Sequence, residues 1–228
     1  MSYEAVIEDC NQQLKTLGRT RESLKILAVS KLQPLQKIKN LYEIGHRNFA
    51  ENYVQEALLK QENLHDLSLE WHFIGSLQKN KVKLVVGKFE LIHSVDSVEL
   101  ARAISNQAQK INTTQKILLQ VNLAHEITKG GFTSESLSAI WPEVCELSGI
   151  SITGLMTMPP LTDDPEDVRS YFQELAKLQI DLIKRGSGRH KMRELSMGTS
   201  HDYHVAIAEG ATIVRLGTIL FGERPSKN

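Results

Sequence analysis

A lysine closes an apolar run in "KILAVSK", residues 25–31. Four of the five residues from Ile26 to Ser30 are apolar, which predicts a short buried strand. Lys31 at its end has two readings. It is a lysine whose stem packs on the core while its ammonium stays in water, or an amine of lowered pKa that attacks a carbonyl carbon and forms a Schiff base. Two other stretches gather small residues and hydroxyls. "LSMGTSHDYHVAI", 195–207, carries Ser196, Gly198, Thr199 and Ser200 ahead of a helical pattern, and "VRLGTILFG", 214–222, carries Gly217 and Thr218. Glycine lets an anion approach backbone N–H groups, hydroxyls donate further bonds, and a helix start favours negative charge. Ordinary strand-to-helix turns also use these residues, but two such turns in succession point to a phosphate. Arg215, inside the second stretch, serves either a ligand or an internal salt bridge.

The elements that position these groups follow from periodicity. Ala5, Val6, Ile7, Cys10, Leu14 and Leu17 recur at helical spacing, with Gly18 as a stop, so residues 1–18 form an N-terminal helix. Further helical patterns cover roughly 35–45, 53–66, 77–87, 97–109, 134–147, 165–185 and 202–209. Short apolar segments alternate with them: 24–30, 48–51, 71–75, 90–95, 116–122, 150–158, 194–197 and 212–217. The loop-like "MPPLTDDPED", 158–167, offers Asp163 or Asp164 as a helix cap. Eight strands separated by helices imply parallel pairing. A single-domain (β/α)8 barrel over 24–224 accounts for them, the whole chain 1–228 being one domain. The competitor, an open doubly wound sheet, prefers a glycine-rich first turn, and "AVSKLQP" has none.

Composition narrows the function classes. Lys+Arg and Asp+Glu are 27 each, so bulk charge argues against nucleic-acid or membrane-surface binding. Cys10 and Cys145 have no metal spacing and are too few for a disulfide scaffold. The N-terminal stretch lacks the apolar run of a signal peptide, so a cytoplasmic location is expected.

In a barrel, strand C-termini surround the active site, and phosphate commonly binds after strands 7 and 8. A Schiff-base lysine and a phosphate cradle across one mouth suggest pyridoxal 5'-phosphate (PLP), with Arg215 addressing the pyridine nitrogen. At this point a resemblance appears. "WHFIGSLQKNK" (71–81), "AVSK" (28–31), "AENY" (50–53), "GLM" (154–156), "LSMG" (195–198) and "VRLGTILFG" stand in the order seen in the pyridoxal-phosphate homeostasis proteins, which are similar to the N-terminal barrel of alanine racemase. The resemblance implies that Lys31 carries the cofactor and that Asn52 lies beside its ring. It implies that Ser196, Gly198, Ser200, Gly217 and Thr218 cradle the phosphate, and that Arg215 faces the pyridine nitrogen. Met156 and Met197 are expected to wall the site or fill core. Ala50 and Thr199 depart from the family pattern, where glycine and methionine are common.

His72 lies too early in its strand for a catalytic role and is expected to be a hydrogen-bonded interior histidine. The stretch "HEITKGGF", 125–132, reads as a hinge-like loop at the mouth that presents Lys129, either solvated or guiding PLP in and out. Three functions remain: a PLP carrier in PLP and amino-acid homeostasis, a PLP-dependent amino-acid racemase-like enzyme, and a sugar-phosphate barrel enzyme using Lys31 without PLP. The resemblance implies that racemisation needs a tyrosine from a second domain. The chain stops soon after strand 8, which favours a non-catalytic carrier, a monomer, with apo-PLP enzymes as partners.

Overall fold

Each strand is short and hands over to a helix, so the chain can only return in parallel. The computed structural model describes residues 2–222, apart from 127 and 187. Strands β1 (Lys25–Val29), β2 (Asn48–Glu51), β3 (Glu70–Phe73), β4 (Leu91–Val95), β5 (Gln115–Val121), β6 (Ile150–Thr157), β7 (Glu194–Thr199) and β8 (Ile213–Leu216) pair in chain order. The barrel closes where β8 pairs with β1, Leu27 opposite Arg215. Helices α1 (Tyr3–Thr16), α2 (Leu35–Glu43), α3 (Val54–Asn63), α4 (Val82–Val85), α5 (Val98–Lys110), α6 (Ser134–Cys145), α7 (Arg169–Lys184), α8 (Tyr203–Ala208) and α9 (Thr218–Phe221) complete the architecture. The barrel's expected end at Arg224 lies outside the described residues. No helix among the described residues is long and apolar enough to cross a membrane.

The expected helix over 77–87 shrinks to a 3-10 turn, Lys79–Lys81, and the single turn of α4. Val86 leaves helical geometry and Gly87 takes a left-handed φ of 79°, which ends it. Asp164 caps the 3-10 turn Pro165–Val168 that leads into α7, its carboxylate accepting from the Glu166 N–H at 2.9 Å.

Strand periodicity sorts the side chains into two layers. Ile26, Ala28, Phe49, Ile92, Ile117, Leu119, Leu155, Leu195 and Val214 point outward into the large core beneath the helices. Leu27, Ala50, Leu91, Leu118, Met156 and Ile213 form a small apolar lumen, with Val29 and Ile74 packed on it. The lumen also holds a polar file of His72, His93, Ser196 and Arg215, all buried. Helix α1, capped by the Ser2 hydroxyl, buries Val6, Cys10 and Leu14. It docks beside α8, where the Tyr203 hydroxyl donates to Asp9 at 2.7 Å.

Candidate functional site

The inward parity of Leu27 and Val29 continues to Lys31, lifting that side chain into the mouth of the barrel. The same rule raises Asn52 from β2, Met156 and Met158 from β6, and Arg215 and Gly217 from β8. These residues meet at a cavity of about 510 Å³. Of the nine residues expected at the site, seven line it: Lys31, Asn52, Met156, Ser200, Arg215, Gly217 and Thr218. Ser196 and Gly198 do not line it. Ser196 lies within β7, fully buried, with its hydroxyl turned into the lumen. Gly198 serves packing: its φ is +93°, and a Cβ there would stand 2.6 Å from that of Ala206 on α8. Met197 has outward parity and fills the core under the helices, away from the cavity.

Lys31 is held through its neighbours. The Ser30 carbonyl accepts from the Lys60 ammonium at 2.6 Å, and the Ser30 hydroxyl donates to Glu51 at 2.6 Å. Leu32 has a left-handed φ of 60°, a conformation costly for a branched side chain, and its N–H is taken by Glu56 at 2.6 Å. Lys60 spends its remaining donors on Glu51 (2.8 Å) and Glu56 (2.6 Å). Residues 30 and 32 are thus clamped on both sides of Lys31 by a buried ion cluster. Burial pushes the Glu51 carboxyl up, and the Lys60 charge and hydrogen bonds oppose it. No motif spacing announced this cluster.

Arg215 is fixed by neutral acceptors. Its guanidinium donates to the carbonyl and hydroxyl of Ser196 at 2.7 and 2.8 Å and to the Thr157 carbonyl at 2.8 Å. Burial lowers its pKa to about 10, with the Asp202 carboxylate pulling the other way. Thr199, of undecided role in the sequence, donates through its N–H (2.5 Å) and hydroxyl (2.9 Å) to Asp202 and so shapes the turn. The Ser200 hydroxyl oxygen accepts from the N–H groups of Gly217 (3.0 Å) and Ile219 (3.4 Å), joining the turns after β7 and β8.

The fit to PLP is tested by two features. Gly217 has a negative φ, and a Cβ there would meet nothing nearer than Val29 at 3.7 Å. Packing does not call for glycine there, whereas a phosphate held in the turn does. The Asn52 Oδ1 is buried without a partner among the described residues, although Asn52 lines the cavity. The residues therefore fit a ligand that carries an anion at one end and polar groups at the other.

Other expectations separate. His72 is an interior histidine as read, its Nδ1 3.0 Å from His93 Nε2. Tyr203 is drawn away from the mouth by Asp9, and no tyrosine among the described residues lines the cavity. The loop bearing Lys129 is braced by hydrogen bonds and an ion pair. Asn122 bonds its backbone at Glu126 and Lys129, and the Lys129 ammonium pairs with Glu126 at 2.6 Å. Gly131 answers a close approach, since a Cβ would stand 2.9 Å from the Asn122 nitrogen. Among the described residues no cluster of three His, Cys, Asp or Glu could hold a metal.

Comparison with known proteins gives the same picture. The family described as alanine racemase, N-terminal domain, matches residues 9–225. A pyridoxal phosphate homeostasis protein of Aquifex aeolicus is 47% identical over 219 residues, covering 96% of this chain and 95% of its own. That of Escherichia coli is 35% identical over 210 residues, covering 91% and 88%. The solved structure of PipY from Synechococcus elongatus with PLP bound superposes with a TM-score of 0.83 at 37% identity, covering 93% of this chain and all of that one. Alanine racemase of Clostridium difficile shares the fold at 19% identity and a TM-score of 0.72, this chain spanning 58% of it. The chain belongs to the pyridoxal phosphate homeostasis protein family, built on the barrel of the alanine racemase N-terminal domain.

Proposed function

We propose that this protein binds PLP on Lys31 and acts as a non-catalytic carrier in PLP and amino-acid homeostasis. The observation that carries the reading is the meeting of Lys31, Arg215 and the Ser200–Gly217–Thr218 turns in one cavity of about 510 Å³. It is supported by PipY, a relative at 37% identity whose solved structure has PLP bound. When bound, PLP supplies an aldehyde for a lysine and an electron-withdrawing ring. The residues of this chain then have distinct tasks. Lys31 supplies the amine, and the clamp on Ser30 and Leu32 orients it. Ser200, Gly217 and Thr218 hold the phosphate, while Asn52 and Met156 flank the ring. Arg215 keeps a positive charge toward the ring nitrogen, which disfavours a proton there and weakens carbanion chemistry.

The carrier reading is supported over a racemase by the relatives at 47% and 35% identity, which are pyridoxal phosphate homeostasis proteins. Apo-PLP enzymes are the expected recipients, and the working form is taken to be a cytoplasmic monomer.

Borohydride treatment of the PLP-loaded protein should fix a pyridoxyl group on the peptide containing Lys31. Lys31→Ala should lose both the trapped group and the visible absorption while keeping its circular dichroism. Trapping on another lysine would overturn the assignment. Delivery is tested by PLP transfer to an apo-enzyme in the presence of a scavenger, and racemisation by solvent α-proton exchange into alanine.

A further inference from the structure

The polar file in the lumen has a direction. Ser196 Oγ accepts from Arg215 at 2.8 Å, and its own buried hydrogen has a single acceptor among the described residues, His93 Nδ1 at 2.9 Å. Burial holds His93 well below its ordinary pKa and His72 at about 3, so both rings are neutral and each carries one N–H. His93 Nδ1 accepts, so its N–H is on Nε2 and points to His72 Nδ1 at 3.0 Å. The His72 N–H is therefore on Nε2. That nitrogen is buried and has no partner among the described residues. A buried donor left unmade costs about 1–3 kcal/mol.

His72 lines a second cavity, of about 260 Å³, at the opposite end of the barrel from Lys31. Four cations line it with two carboxylates. Lys25 is paired with Glu70 at 2.9 Å and Lys116 with Glu90. Glu194 accepts from the Thr212 hydroxyl at 2.6 Å. Lys191 and Arg193 have no side-chain partner among the described residues. Two unneutralised cations and an unmatched buried N–H thus converge on one small cavity.

We propose that this lower cavity binds a compact oxyanion, a carboxylate or phosphate, between Lys191, Arg193 and His72, and that its occupancy is transmitted to Arg215 through His93 and Ser196. An acceptor on His72 Nε2 polarises the file, and each successive acceptor strengthens, so Ser196 Oγ binds Arg215 more firmly. No proton needs to move. The site stands on its own residues. Only its consequence for a bound ring rests on the PLP reading.

The test uses the full chain labelled with ¹⁵N at histidine and arginine side chains, titrated with malonate, inorganic phosphate or, as an ionic-strength control, sodium chloride. The His72 Nε2 resonance should shift saturably, with affinity at least tenfold weaker in Lys191→Ala/Arg193→Ala. The Arg215 side-chain resonance should move with it, and Ser196→Ala should abolish that response while sparing the one at His72. Saturation by one probe alone assigns the ligand class. A response at Arg215 that persists in the double variant comes from phosphate entering the upper cradle and does not support the site. A linear His72 shift, equal in wild type and double variant, would overturn the site. A saturable His72 shift with a silent Arg215 would overturn the transmission. These spectra need no cofactor, so a failure to trap PLP on Lys31 is a separate result.

Discussion

The two sides of the barrel mouth are built from different materials. On the β1–β2 side, Lys31 is flanked by residues tied to Lys60, Glu51 and Glu56, an ion cluster with Lys60 and Glu51 almost wholly buried. On the β7–β8 side, the Ser200 hydroxyl and backbone N–H groups make neutral hydrogen bonds beside a guanidinium held by carbonyl and hydroxyl oxygens, and a carboxylate enters only at Asp202, which shapes the Thr199 turn. Buried charges tolerate no partial loss, because the survivor is left uncompensated. Neutral hydrogen bonds exchange for water or ligand at about 0.5–1.5 kcal/mol each. A group that must return to one place after each covalent exchange is fixed by the first kind. Donors that must open to an incoming anion are supplied by the second.

Breaking the ion cluster should have the largest effect. Lys60→Met strands two carboxylates and should cost about 3–5 kcal/mol in urea unfolding. The Lys60→Met/Glu51→Leu pair should be less destabilised than Lys60→Met alone, and equal losses would remove the contrast between the two sides. Acid probes the next level. Burial lowers the pKa of His46 to about 4 and that of His72 to about 3. The unfolded chain takes up these protons near pH 6.5, so stability is full above that value and falls as pH drops toward 4 and 3. Each histidine contributes at most about 1.4 kcal/mol per pH unit. Unfolding midpoints at pH 7 and 5 should therefore diverge by less in His46→Gln, next to β2, and in His72→Gln, in the lumen, than in the wild type.

Ser200→Ala should weaken PLP binding about tenfold while costing about 1 kcal/mol in stability. Ser196→Ala should leave phosphate affinity nearly unchanged and alter the cofactor's spectrum through Arg215. Equal affinity losses in the two variants would return Ser196 to the cradle. Gly217→Ala should be the mildest for the fold, within about 0.5 kcal/mol, because its Cβ has room. A titration should still show weaker PLP binding, since that methyl group occupies the cradle.

Most of the architecture was legible because short parallel strands and amphipathic helices write different periods into the chain. Lys31 and Gly217 were legible because they stand just past strand ends. The period-2 rule, not applied to β7 in the sequence, sorts its residues: 213, 215 and 217 alternate inward, and the same count along β7 puts Ser196 in the lumen and Met197 outside, the core-filling reading of that methionine. The clamp was illegible, since Glu51 and Lys60 are brought together by the β2–α3 turn and resemble surface charges in a one-dimensional reading. Gly131 serves both backbone freedom, at a φ of +137°, and a close approach to Asn122, and only the second needs the fold to be seen.

The pairing of β1 with β8 has a consequence for how the protein is made. The first strand finds its last neighbour only after nearly the whole described chain has been synthesised. Until then β1 keeps one unpaired edge, an invitation to pair with another chain. Closure on so distant a partner is intrinsically slow. Helix α1 also waits for a late partner, because its Asp9 pairs with Tyr203, only about ten residues ahead of β8. The mouth that gathers Lys31 from the first strand and Gly217 from beyond the last therefore cannot be complete before β8 is made, and a chain stalled short of it exposes an open strand edge without a binding site.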